Sequence, residues 1–167
     1  MADIISDRDA SDEEIVSLIE LLFFAYRDFT SDPDAILSAW GFGRAHHRVV
    51  HFVGRNPGMT VAQLLGILGI TKQSLGRVLR DLIEKNLVYQ RPGDFDRRQR
   101  LLFLTKEGDS LRLKLMAPQA ERIIRALKEA GNEMEPGYRK VLYHLISPEN
   151  RTGVSEWLRS RRSQARE

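Results

Sequence analysis

Two short stretches of this chain hold side chains whose types and spacing suit chemistry on a polyanion. Gln73, Ser74 and Arg77 are separated as residues on one side of a helix turn. Gln and Arg read base edges in the major groove of DNA by paired hydrogen bonds. Lys72 and Arg80, beside them, suit phosphate oxygens, and Thr71 stands at the start of the same run. Further on, Asp96-Arg97-Arg98-Gln99-Arg100 gathers three Arg around a turn. Such cations repel one another unless an anion lies nearby, and Arg at a projecting loop tip suits the narrow, negative minor groove. Asp96 gains nothing from an anionic partner. It is expected to orient Arg98 by a charge-assisted hydrogen bond.

The surrounding pattern supplies elements to position these groups. Thr60-Val61-Ala62-Gln63 is a capping box that opens a short helix, which Gly69 ends. Thr71 caps a second helix with Leu75, Val78, Leu79 and Leu82 on one face, so Gln73, Arg77 and Arg80 fall on the other. Asn86 stands where a helix commonly ends in the left-handed conformation. Residues 87–91 and 100–104 read as two strands joined by the Arg-bearing loop. Two capped helices followed by a hairpin make a winged helix-turn-helix.

Upstream, Ser11-Asp12-Glu13-Glu14 is a capping box for a helix over 12–29, with Ile15, Leu18, Ile19, Leu22, Phe23, Tyr26 and Phe29 at helical spacing. Asp32-Pro33 opens a second helix, expected to run to about Gly54, and Asn56-Pro57-Gly58 is a turn. Downstream, Thr105 caps a long helix to Ala130 that Pro118 should kink or split. A helical pattern from Tyr138 to Ile146 stops at Ser147-Pro148, and residues 151–162 suit one more short helix around Trp157 and Leu158. The expected class is mainly α with a small β-hairpin wing. Residues 1–54 form N-terminal helices, 55–105 the winged helix-turn-helix lobe and 106–167 the C-terminal helices.

The run Asp96-Arg97-Arg98-Gln99-Arg100-Leu101-Leu102-Phe103-Leu104-Thr105-Lys106-Glu107-Gly108 resembles the wing signature of the MarR family of bacterial regulators: Asp-x-Arg, an apolar strand, then Leu-Thr-x-x-Gly. Leu82-Ile83-Glu84-Lys85-Asn86-Leu87-Val88 resembles the family's end of the recognition helix, with Asn86 where Gly is commoner. Gln99 stands where many members have Ser. The resemblance is specific over about 57–110. It implies a homodimer with intertwined terminal helices, a pseudo-palindromic duplex-DNA operator, and repression released by a small effector. The clustered Leu21, Leu22, Phe23, Phe24 and Tyr26, with Trp157 and Leu158 beyond the last Pro, fit a subunit interface.

Trp40, Arg44, His47 and His51 are spaced i, i+4, i+7 and i+11 on the expected second helix. A ring, a cation and two imidazoles on one stripe can bind an anionic aromatic effector, and they can equally form a half-buried packing stripe. His47 and His51 have zinc-ligand spacing, but no third ligand is visible and the chain has no Cys. No metal, cofactor or catalytic motif is expected: there is no nucleophile elbow, phosphate-binding Gly loop or paired-carboxylate motif, and so no enzyme assignment.

Charge is unevenly spread. The net charge is +3, yet residues 1–35 hold ten Asp/Glu against two Lys/Arg, and residues 71–100 hold eight Lys/Arg against four Asp/Glu. A basic middle behind an acidic start suggests one face turned toward an anionic partner. The zero Cys count and the acidic N-terminus, unlike a signal peptide, suit a cytoplasmic protein with no membrane segment. A winged-helix module that binds protein rather than DNA is one alternative, although it has no need of so many projecting Arg. A constitutive DNA-binding protein without an effector is another.

Overall fold

The computed structural model describes residues 12–93 and 96–164, with side chains as far as residue 159. Ser11, the expected first cap, lies outside the described residues. The chain divides into two compact units, one ending at Arg122 and the other beginning at Ile123.

The first unit opens with α1 (Asp12–Ser31) and the short α2 (Asp34–Ser38), then α3 (Arg44–Arg55). β1 (Met59–Thr60), α4 (Val61–Leu68), α5 (Lys72–Glu84), β2 (Val88–Pro92) and β3 (Arg100–Leu104) follow, and α6 (Lys106–Ala130) begins in this unit. The expected single helix from Asp32 to Gly54 is two helices. Gly41, at φ +70°, closes α2: the Phe42 amide donates to Leu37 O at 2.9 Å and the Gly41 amide to Ser38 O at 3.0 Å. A left-handed residue cannot continue a helix, so Trp40 lies in the break and not on a stripe with Arg44. Nor does Asp32 cap α2. Its carboxylate instead accepts from Arg122 Nε and Nη2 at 2.5 and 2.7 Å.

The three strands form one antiparallel sheet in the order β1-β3-β2. The hairpin register pairs Val88 with Leu104 and Gln90 with Leu102. β1 adds a strand beyond the expected hairpin, pairing Met59 with Leu102. Gly58, at φ +84°, makes this possible by turning its amide onto Leu102 O at 2.8 Å. The core is built where α3, α4, α5, the sheet and the start of α6 meet, around Val50, Leu64, Leu75, Leu82, Leu102 and Leu115, each fully buried. α6 passes through Pro118 without being split. Leu111 and Leu115, buried in the preceding turns, hold it on the core.

The second unit holds the end of α6, a 3₁₀ turn (Asn132–Met134), α7 (Glu135–Leu145) and α8 (Pro148–Gln164). α8 starts earlier than the expected residue 151. Pro148 occupies its first turn, where a missing amide costs nothing.

Candidate nucleic-acid interface

The helix pair forms as its caps dictate. Thr60 Oγ1 accepts from the Gln63 amide at 3.2 Å while Gln63 Oε1 accepts from the Thr60 amide at 2.8 Å. Gly69, at φ +61°, ends α4. Thr71 Oγ1 then accepts from the Ser74 amide at 3.1 Å and lies 2.9 Å from the Ser74 hydroxyl. α5 buries Leu75, Val78, Leu79 and Leu82, as its periodicity requires. Thr71, Lys72, Gln73, Ser74, Arg77 and Arg80 are all exposed on the same helix. Among the described residues none of Lys72, Gln73, Arg77 and Arg80 has its side chain committed to a protein hydrogen bond or ion pair, so each can meet a ligand.

The far end of α5 is tied to the wing. Asn86 takes φ 55°, with its amide donating to Ile83 O and the Leu87 amide to Leu82 O, both at 2.9 Å. This is the left-handed cap expected there. Thr105 joins three elements: its hydroxyl donates to Asn86 O at 2.8 Å and accepts from the Gly108 amide at 3.0 Å, capping α6. Gly108 packs so closely on this corner that a Cβ would collide with the Leu87 carbonyl oxygen. The Leu-Thr-x-x-Gly run is therefore the joint between α5, the wing and α6.

At the wing tip Arg97, Arg98 and Arg100 are exposed with Asp96. The loop closes by backbone bonds from Gly93 to Gln99 O and from Gln99 to Asp96 O, both at 3.0 Å. Asp96 Oδ1 accepts from the backbone amide of Arg98 at 2.9 Å. The expected hold on the Arg98 guanidinium is not what forms: the carboxylate holds the main chain of the turn instead, because two residues is the reach at which an Asp carboxylate meets a following amide. At the wing base Tyr89 and Phe103 stack with centroids 5.3 Å apart, and the Arg91 guanidinium lies 5.3 and 5.4 Å from the two rings.

Of the second candidate group, Arg44, His47 and His51 do share a cavity of about 260 Å³. Tyr26, Phe29, Thr30, Arg48, Phe52 and Gln119 complete its wall. Trp40 is not part of it; its ring stacks on Phe42 at 6.0 Å. Arg44 is held by Asp34 at 2.9 Å, and Arg48 donates to the Tyr26 hydroxyl at 3.0 Å. Burial, with the Arg48 charge second, pushes His47 below its ordinary value. Burial also carries His51 down to about 4, with neighbouring His47 and the Arg112 and Arg55 charges lowering it further. The cavity thus pairs two guanidinium groups with imidazoles held neutral. Sequence spacing missed Arg48, one helical turn after Arg44 and visible as such, and Tyr26 and Gln119, which only folding brings there. Among the described residues no cluster of three or more His, Cys, Asp or Glu could hold a metal ion. Nor is any described helix long and apolar enough to cross a membrane.

His46 is a further polar residue at this junction. Its Nε2 lies 3.0 Å from Asp81 Oδ2 on α5, and its Nδ1 accepts from the Gly43 amide at 3.2 Å.

Residues 40–99 match the model of the MarR family. The chain is 48% identical over 138 residues to the HTH-type transcriptional regulator PetP of Rhodobacter capsulatus, covering 83% of each protein. Its fold is similar to that of a mutant MarR from E. coli complexed with operator DNA, with a TM-score of 0.63 at 18% identity over 83% of this chain and 100% of that one. It is likewise similar to the transcriptional repressor CouR bound to a 23-mer DNA duplex, with a TM-score of 0.65 at 20% identity over 84% and 100%.

Proposed function

The chain belongs to the MarR family of DNA-binding winged-helix transcription regulators, and from that premise we propose that it acts in the cytoplasm as a homodimeric repressor on a pseudo-palindromic operator. α5 enters the major groove, where Gln73, Ser74 and Arg77 meet base edges. Thr71, Lys72 and Arg80 contact phosphates. Arg98 enters the minor groove from the wing, flanked by Arg97 and Arg100, with Asp96 shaping the turn. Residues 1–54 and 106–167 carry the dimer interface, and 55–105 the DNA-binding lobe.

One observation carries this reading. Gln73, Arg77 and Arg80 are exposed and uncommitted on the face of α5 opposite four buried aliphatic residues. Operator-bound MarR and the duplex-bound repressor CouR share the fold, which supports the docking mode.

Release by a small anionic aromatic effector is supported by the cavity of Arg44, His47 and His51. Arg48, whose guanidinium donates to the neutral Tyr26 hydroxyl, can neutralise a carboxylate, and Phe29 and Phe52 can cover a ring. Trp40 is no part of this proposal.

The test is to select bound sequences from genomic fragments and then compare Arg77→Ala with Arg80→Ala. Loss of a bidentate base contact costs about 1–3 kcal/mol at one base pair. Arg77→Ala is therefore expected to relax preference at one position of the operator, and Arg80→Ala to weaken all sequences alike. Identical specificity profiles for the two variants would refute the assignment of faces.

A further inference from the structure

We propose that His46 is a positioning residue for DNA recognition, its bond to Asp81 setting the roll of α5 against α3. The contacts that seat α5 on the core are otherwise aliphatic, through Leu75, Val78, Leu79 and Leu82. Such contacts are strong but non-directional, and they tolerate small rotations of a helix about its axis. A base-reading helix tolerates them poorly, since a rotation displaces every side chain on the DNA face together.

The His46–Asp81 bond supplies the missing direction. Among the described residues no other side-chain hydrogen bond joins α5 to another element. Asp81 follows Arg80 directly and lies one turn beyond Arg77, at the margin of the DNA face. The imidazole is itself fixed from two sides. Nδ1 accepts the Gly43 amide, so the proton resides on Nε2 and is aimed at the Asp81 carboxylate. The Phe42 ring lies flat on the imidazole, with centroids 4.5 Å apart and planes 7° from parallel. Only 13% of the His46 side chain is exposed, so its bond to Asp81 is sheltered on one side from water.

The proposal rests on α5 being the reading helix, and its test separates the two. The full-length protein is titrated with its selected operator and with a scrambled duplex of equal length, at one salt concentration. The readout is the ratio of the two affinities, which cancels the change in net charge at Asp81. His46→Phe keeps a ring on Phe42 and removes both the donor to Asp81 and the acceptor of the Gly43 amide, which water can replace at that exposed position. Asp81→Ala removes the acceptor, while Asp81→Asn retains an acceptor oxygen. His46→Phe and Asp81→Ala are each expected to lower the ratio about tenfold, the scale of one directed hydrogen bond to a charged group. Their combination is expected to lower it no further, and Asp81→Asn to restore it, with thermal midpoints close to that of the parent chain.

An unchanged ratio in His46→Phe overturns the positioning role. So does a loss of affinity for both duplexes that tracks a fall in thermal midpoint. If Arg77→Ala, measured alongside, leaves the ratio unchanged, α5 is not the reading helix and the proposal falls with that assignment.

Discussion

Asp96 acts on the main chain of the wing, and this changes what its replacement should do. Its carboxylate accepts the Arg98 amide at 2.9 Å, a bond that an Asn side chain can also make and Ala cannot. Asp96→Asn is expected to bind the operator as the parent does, or slightly better for the lost negative charge. Asp96→Ala, with the same gain in net charge, is expected to bind less tightly because the Arg-bearing turn must be ordered on binding, at about 0.5–1.5 kcal/mol per immobilised side chain. Fluorescence anisotropy at fixed salt decides between them, and equal tightening by both variants would reduce the loop to a positive patch.

His51 makes a second residue-scale prediction. Its value falls from 6.5 to about 4 on folding, chiefly by burial. The unfolded chain therefore binds the proton first. The stability contributed by neutral His51 is whole above about pH 6.5 and is lost as pH falls from there toward about 4. In urea unfolding at several pH values, His51→Gln should flatten the fall in midpoint over this window relative to the parent. Parallel curves would show that His51 is not held neutral by the fold.

At the scale of elements, the joint between α5, the wing and α6 is set by close backbone approach. A Cβ on Gly108 meets the Leu87 carbonyl, which belongs to the main chain and cannot rotate away. Gly108→Ala is expected to cost about 3 kcal/mol or more, at the upper end for overpacking. Asn86→Gly, at φ 55°, should be close to neutral, since Gly adopts that conformation without a Cβ penalty. Denaturant midpoints measure both. A neutral Gly108→Ala would mean that the strand and helix can part at this corner without loss.

At the scale of the whole molecule, the exposed apolar surface has one economical explanation. Phe23 is 62% exposed on α1 and Val141 61% exposed on α7. Leu21, Leu22, Phe24, Leu142, Leu145 and Leu158 are exposed as well. Scattered apolar residues are ordinary on a surface, but runs of this kind along helices are what a subunit interface would cover. The chain is expected to be dimeric at micromolar concentration by sedimentation equilibrium, and removal of residues 1–29 to give an aggregating or unfolded product. A soluble, folded monomer after that truncation would remove α1 from the interface.

Much of the lobe is legible from one residue to its near neighbours, although Asp32, which pairs with Arg122 instead of capping α2, shows that a local pattern can lose to a distant partner. The capping pairs at Thr60 and Thr71, the buried stripe of α5, the left-handed Asn86 and the two long strands all depend on hydrogen bonds or periodicities that close within a few residues. The helix break at Gly41 was equally local but was hidden by the apolar run around it, which outweighed two glycines. The cavity, the β1–β3 pairing and the His46–Asp81 bond had no such local signature. His46 and Asp81 lie 35 residues apart, and Gln119 reaches the Phe29 carbonyl across 90. At those separations partners are chosen by how the core packs α3 against α5 and α6 against α1. No pattern in either segment alone carries that information, because the bond belongs to the packing and not to the helix.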